Sequence, residues 1–132
     1  MTFEPIFLTV DQVLTLHHRA IVAYGGGAGL LNANLLESAV MSPQATFGGA
    51  YLNETLEQFA AAYWLSLTVN HPFADGNKRT ALAACSTFLR MNGYYLDVSE
   101  IEAELITLAL ADGTIKDKKE LLKRFSISAI SN

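Results

Sequence analysis

From Asn77 to about Asn92 the chain reads NKRTALAACSTFLRMN, apolar on nearly every side beyond its first three residues, and Gly93 follows as a left-handed stop. A helix of that composition has no broad face to offer water. It has to be surrounded, which calls for a bundle with helices packed on several sides of it.

The starts of the other helices are marked by Ser, Thr, Asp or Asn followed three residues later by Glu or Gln, because each side chain then satisfies an orphan backbone N–H of the first turn. Thr9 with Gln12 opens a helix to about Tyr24, with Val10, Val13, Leu14, Leu16 and Ile21 as its apolar stripe and GGGAG as its end. Asn34 with Glu37 predicts a short helix through NLLESAVM, closed near Pro43. Asn53, or Thr55 paired with Gln58, starts LEQFAAAYWLSLTVN. Ser99 with Glu102 and Asp117 with Glu120 start two more, separated by ADG. No alternating pattern runs beyond a few positions, although ATFGGAYL suits a small hairpin or flap. The expected fold class is therefore all-α: a compact helical bundle of about six helices around a central buried helix, with a small flap, in a single domain spanning 1–132.

With 51% hydrophobic and 17% charged residues and no repeat or low-complexity tract, the chain has enough apolar surface to fold rather than stay disordered. No apolar run is long enough to span a bilayer, and MTFEPIFLTV lacks the basic and long apolar regions of a secretory leader, so a cytoplasmic protein without membrane contact is expected. A formal charge of −4 excludes a protein that coats nucleic acid, and no direct nucleic-acid binding is expected. Charge placement says more than charge total. Residues 1–115 hold four cations, Arg19, Lys78, Arg79 and Arg90, against eleven carboxylates, and two of the four are neighbours. The cations of KDKKELLKR fit the solvated face of a terminal helix. Cys85 sits in an apolar run with no cation or His beside it in sequence, which suits packing rather than nucleophilic chemistry.

Lys78 and Arg79 belong to HPFADGNKRT, residues 71–80, at the start of the apolar helix. The first backbone N–H groups of a helix lack internal partners and its dipole is positive there, so an anion is favoured, and phosphate is the natural guest. Gly76 lets the backbone approach a ligand closely, Asn77 offers an amide, and Lys78 and Arg79 add charge-assisted bonds. Asp75 would repel that phosphate unless a cation stands between, and one carboxylate with phosphate oxygens and water is the usual setting of Mg²⁺. His71 is the group of the cluster that exchanges a proton near neutral pH, which suits a general base acting on a hydroxyl. The bland reading, in which these are capping residues and snorkelling cations, explains poorly why a helix that should be buried carries two adjacent charges. Pro72 and Phe73 form an apolar wedge that fixes the loop under either reading.

Other candidates carry less. GGGAG lacks the Lys-Ser/Thr of a phosphate-binding P-loop and follows a helix, so it reads as a stop and turn. His17 and His18 project about 100° apart on one helix, poor geometry for a shared metal.

HPFADGNKR resembles the defining motif of the Fic/Doc family, His-x-Phe-x-Asp/Glu-Gly-Asn-x-x-Arg, in the Doc-type variant that ends Asn-Lys-Arg. LHHRAIVAYGGGAGLLNANLLESAVMSP and NKRTALAACSTFLRMNGYYL are similar to the N-terminal half and the central helix of the death-on-curing (Doc-type) toxins. The resemblance implies that His71 is the general base, Asp75 the magnesium ligand, Asn77 the group that positions the reacting phosphate, and Arg79 a clamp on the other phosphates, with Gly76 and Lys78 completing the nucleotide site. Phe73 would anchor the loop, and a target-docking flap would comprise Phe47, Gly48, Gly49, Ala50 and Tyr51.

Family members that transfer AMP usually carry a second Gly after the Asn, whereas Lys78 here is the Doc-type choice, associated with a reversed nucleotide whose terminal phosphate faces the base. The implied activity is thus transfer of the terminal phosphate of ATP to a Ser/Thr hydroxyl of a protein, with the translation factor EF-Tu as the suggested target and ATP and Mg²⁺ as cofactors. AMP transfer remains the alternative chemistry, because the best-known Doc pattern has Ala where Gly76 stands. A catalytically inert binding module is the alternative of a different class. The self-inhibitory pattern Ser/Thr-x-x-x-Glu-Gly/Asn of many Fic proteins does not occur, which implies restraint by a separate antitoxin with a disordered tail.

Overall fold

A computed structural model describes residues 4–131. Six helices carry the architecture: α1 (Val10–Tyr24), α2 (Ala33–Met41), α3 (Leu56–Asn70), α4 (Asn77–Met91), α5 (Glu100–Asp112) and α6 (Lys118–Leu122). Two small antiparallel pairs complete it, β1 (Thr46–Phe47) with β2 (Ala50–Tyr51), and β3 (Tyr94–Leu96) with β4 (Ile127–Ala129). The all-α class with a flap is observed. Among the described residues, no helix is long and apolar enough to cross a membrane.

The helix starts follow local chemistry. Thr9–Gln12 and Thr55–Gln58 form complete capping boxes, and Ser99 and Asp117 accept from the backbone N–H of Glu102 and Glu120. The start of α2 differs from the expectation. Asn32, not Asn34, caps it, accepting from the N–H of Leu35, because hydrogen bonds from Leu31 and Asn32 to the carbonyl of Pro72 fix the chain just ahead of it. Asn53, the other candidate for the start of α3, is buried and donates to the carbonyl of Pro43.

The centre is shared. The sequence places α4 in the middle, and α4 does bury Thr80, Ala81, Ala84, Cys85, Phe88 and Leu89. The helix enclosed on most sides, however, is α3, whose run from Phe59 to Trp64 is wholly buried. Alanines 60–62 on α3 and 81 and 84 on α4 let the two approach closely, and they pack together more extensively than any other pair of elements. Phe7, ahead of α1, lies against Tyr51, Phe59 and Phe88 and so ties the base of the flap to the core. The indole N–H of Trp64 donates to Thr107 Oγ1 at 2.9 Å, which fastens α5 to α3. Cys85 is fully buried, and burial pushes its thiol well above the usual range, consistent with packing rather than reactivity.

Candidate active site

The loop between α3 and α4 carries the cluster. His71 caps the C-terminus of α3 in the left-handed conformation, with φ at 49°, and is the one non-glycine residue with positive φ among the described residues. That conformation costs a β-carbon-bearing residue about 1 kcal/mol or more, and it turns the chain sharply so that the imidazole stays exposed. Pro72 and Phe73 are buried, as a loop wedge should be. The carbonyl of Pro72 accepts from Leu31 and Asn32, and Ala74 donates to the carbonyl of Gly29, lacing the α3–α4 loop to the α1–α2 connection.

Asn77 holds the loop from below. Its Oδ1 accepts from the N–H of Phe73 at 3.0 Å and its Nδ2 donates to the carbonyl of Phe73 at 2.9 Å, so this buried amide is committed to the loop. The role expected from the sequence, an amide directed at phosphate, is joined here by a structural one. The reason is that Phe73, 1% exposed, has backbone groups that water cannot reach.

A second support was not foreseen. His17 of α1 is buried, its ring lies on that of Phe73, and its Nε2–H donates to the carbonyl of Asp75 at 2.8 Å. A carbonyl only accepts, so Nε2 must carry the proton. The available signal was its position one turn after Val13, on a stripe that otherwise faces the core.

Asp75 is exposed, and its Oδ1 accepts from Gly76 N–H at 2.8 Å. Gly26, with φ at 113°, passes so close to the other carboxylate oxygen that a β-carbon there would overlap it. Gly76 is the N-cap of α4 in the left-handed region, and no side chain caps the helix. Its first-turn N–H groups therefore border a pocket of about 250 Å³ lined by Ala20, Tyr24, Gly25, Gly26 and residues 75–79. Arg79 crosses the ring of Tyr24, its guanidinium carbon 3.6 Å from the ring centre. GGGAG is thus the helix stop expected of it and also one wall of the pocket.

Of the expected site residues, the structure brings Asp75, Gly76, Asn77, Lys78 and Arg79 together around this pocket. His71 lies outside that lining, at the other end of the loop. Phe47, Gly48, Gly49, Ala50 and Tyr51 form an exposed hairpin, Gly48 and Gly49 supplying the two positive-φ positions of its turn. The donor set fits a magnesium–phosphate group: one carboxylate with a free oxygen, uncapped N–H groups and two cations, but among the described residues no cluster of three His, Cys, Asp or Glu that would hold a metal unaided.

Comparison with known proteins agrees with this geometry. The Fic/DOC family profile matches residues 7–89, from the segment just ahead of α1 almost to the end of α4. The protein named Toxin Doc from Mycolicibacterium smegmatis is 37% identical over 127 residues, covering 93% of this chain and 95% of that one. The protein named Protein kinase doc from Escherichia phage P1 is 28% identical over 123 residues, covering 92% and 97%. A family match that includes both the supporting α1 and the loop from His71 to Arg79, together with a relative aligned along nearly its whole length, leads to one conclusion: the chain belongs to the Fic/DOC family.

Proposed function

We propose that the protein is the toxin of a bacterial toxin–antitoxin pair, acting in the cytoplasm as a protein kinase that moves the terminal phosphate of ATP to a Ser or Thr hydroxyl, with EF-Tu as the target. The observation that carries this reading is Lys78, which follows Asn77 at the uncapped start of α4 and lines the pocket that would receive phosphate. A bulky cation there takes space that a smaller residue would leave for a phosphate chain. The nucleotide then enters with its terminal phosphate toward the loop, where only an in-line group reacts. The names of the two relatives, a Doc toxin and a Doc kinase, support the same choice.

In this chemistry His71 accepts the proton of the target hydroxyl as its oxygen bonds to the terminal phosphorus, and the bond from that phosphorus to the bridging oxygen breaks, releasing ADP. Asp75 would hold Mg²⁺, which when bound supplies positive charge to the phosphate oxygens. Lys78, Arg79 and the free N–H groups of α4 orient the phosphates, Tyr24 holds Arg79 in place, and the hairpin from Phe47 to Tyr51 offers an edge to an extended target segment. A separate antitoxin with a disordered tail would restrain the enzyme.

AMP transfer is the second reading, kept because Gly76 stands where the best-known Doc pattern has Ala. Intact-mass analysis of EF-Tu after incubation with the protein, ATP and magnesium separates the two. A phosphate-sized increment that His71→Ala abolishes supports the kinase, and an AMP-sized increment replaces it with adenylyl transfer. No increment on any protein in an extract returns the chain to a binding module.

A further inference from the structure

At the base of the flap lies a second cavity, about 460 Å³, that shares no residue with the phosphate pocket. Ala45 and Leu52, which flank the hairpin, form one side, and Leu65 and Val69 of α3 form another. Asn70, the neighbour of His71, lies at its edge. Lys116 and Lys118 complete the lining, and no carboxylate contributes to it, in a chain with 13 carboxylates against 9 cations.

Lys118 is partly buried, and its Nζ donates to Oδ1 of Asn53, a neutral buried amide fixed in turn by its bond to the carbonyl of Pro43. Among the described residues neither ammonium pairs with a carboxylate, although the backbone N–H of Lys116 donates to Glu120 Oε2 at 3.3 Å; the ion pair present is Arg124 with Glu102. Loss of water draws the Lys118 ammonium below its ordinary pKa, as expected for a partly desolvated cation without a counter-charge. An anion entering the cavity would relieve that penalty.

We infer that this cavity is a specificity pocket for an acidic side chain of the protein substrate, filled when the segment bearing the acceptor hydroxyl lies along the flap. The assignment rests on the group-transfer reading above and adds a sequence preference to it. Leu52, Leu65 and Val69 cover the methylene stem of a Glu while the two ammonium groups meet its carboxylate. Because the cavity runs from the flap to the residue beside His71, the acidic residue falls at a fixed, short separation from the acceptor.

The test uses a pool of synthetic peptides with a central Thr and random flanks. Peptides retained by the nucleotide-free protein are sequenced, and phosphate or AMP transfer to the same pool is followed separately by mass. Asp or Glu should be enriched at one offset from the Thr by about two- to fivefold, the range of a partly shielded ion pair. The enrichment should vanish in the Lys116→Gln, Lys118→Met variant, its folding checked by Tm, and persist in Lys116→Arg, Lys118→Arg. No acidic enrichment, or enrichment that survives neutralisation of both lysines, overturns the assignment. Transfer without enrichment removes the pocket and leaves the chemistry, whereas enrichment without transfer leaves the pocket and removes the chemistry.

Discussion

The imidazole of His17 lies flat on the ring of Phe73, with centroids 3.7 Å apart and planes 6° apart, while its Nε2–H holds the carbonyl of Asp75. One side chain of α1 thereby fixes both the anchor of the α3–α4 loop and the residue that would hold the metal under the proposed function. His17→Leu retains bulk but loses the donor, and should cost about 1–3 kcal/mol of stability and weaken magnesium-dependent nucleotide binding. His17→Gln can place an amide donor near the position of Nε2 and should recover part of the binding. Urea unfolding together with nucleotide titration at several magnesium concentrations measures both effects.

Removing the Asn77 amide leaves the buried N–H of Phe73 without its partner. Asn77→Ala should lower stability by about 1–3 kcal/mol, visible as a lower urea midpoint, with transfer lost as well. Asn77→Asp retains an acceptor for that N–H but turns a carboxylate oxygen toward the carbonyl of Phe73, so it should not restore the loop. A midpoint unchanged in both variants would contradict the role given to this residue.

Two glycines tie the site to the fold. A β-carbon on Gly26 meets the carboxylate of Asp75, an exposed side chain that can move aside. Gly26→Ala should therefore weaken magnesium binding, and because φ is held at +113° it should lower Tm as well. A β-carbon on Gly76 stands 3.2 Å from Ile21 Cδ1 with φ held at +77°, so Gly76→Ala should cost about 1 kcal/mol while leaving the direction of the nucleotide unchanged. Calorimetric titration of Mg²⁺ with nucleotide, run beside thermal unfolding, distinguishes the two outcomes.

Stability should also fall at high pH through Tyr63. Burial raises its phenol from 10.0 to about 12, against a smaller opposing effect of the Leu8 N–H bonded to its oxygen. Above the unfolded pKa the unfolded chain releases this proton more readily than the native one, so stability present below pH 10.0 is lost as the pH rises toward about 12. The loss is on the order of 2–3 kcal/mol. Tyr63→Phe should flatten this part of the pH profile, after a constant penalty for the unpaired Leu8 N–H, in urea unfolding at paired pH values.

What the sequence disclosed and what it withheld divide along the range of the interactions involved. Thr9, Thr55, Ser99 and Asp117 act on backbone groups three residues away, so four helix starts were readable without any tertiary information. The flap was readable because Gly48 and Gly49 mark its turn. The pairing of Tyr94–Leu96 with Ile127–Ala129 was not, since strands of three residues show no period and their partner lies across two helices. Within the site, residues 71–79 announce their chemistry because they are contiguous. The contributions of His17, Tyr24 and Gly26 depend on where α1 ends relative to that loop, which no local pattern encodes.

The lacing of residues 29–32 to residues 72–74 has a kinetic consequence. Its hydrogen bonds join strands of chain separated by about forty residues, so they form only after the intervening loop has been closed at an entropic cost. Helices can nucleate early from their own caps, but the α3–α4 loop acquires its shape only once α1, α3 and α4 have docked. Amide protons of Leu31, Asn32 and Ala74 should then exchange with solvent together, as one cooperative unit, and a chain that has collapsed without docking α1 has the active-site residues but no active site.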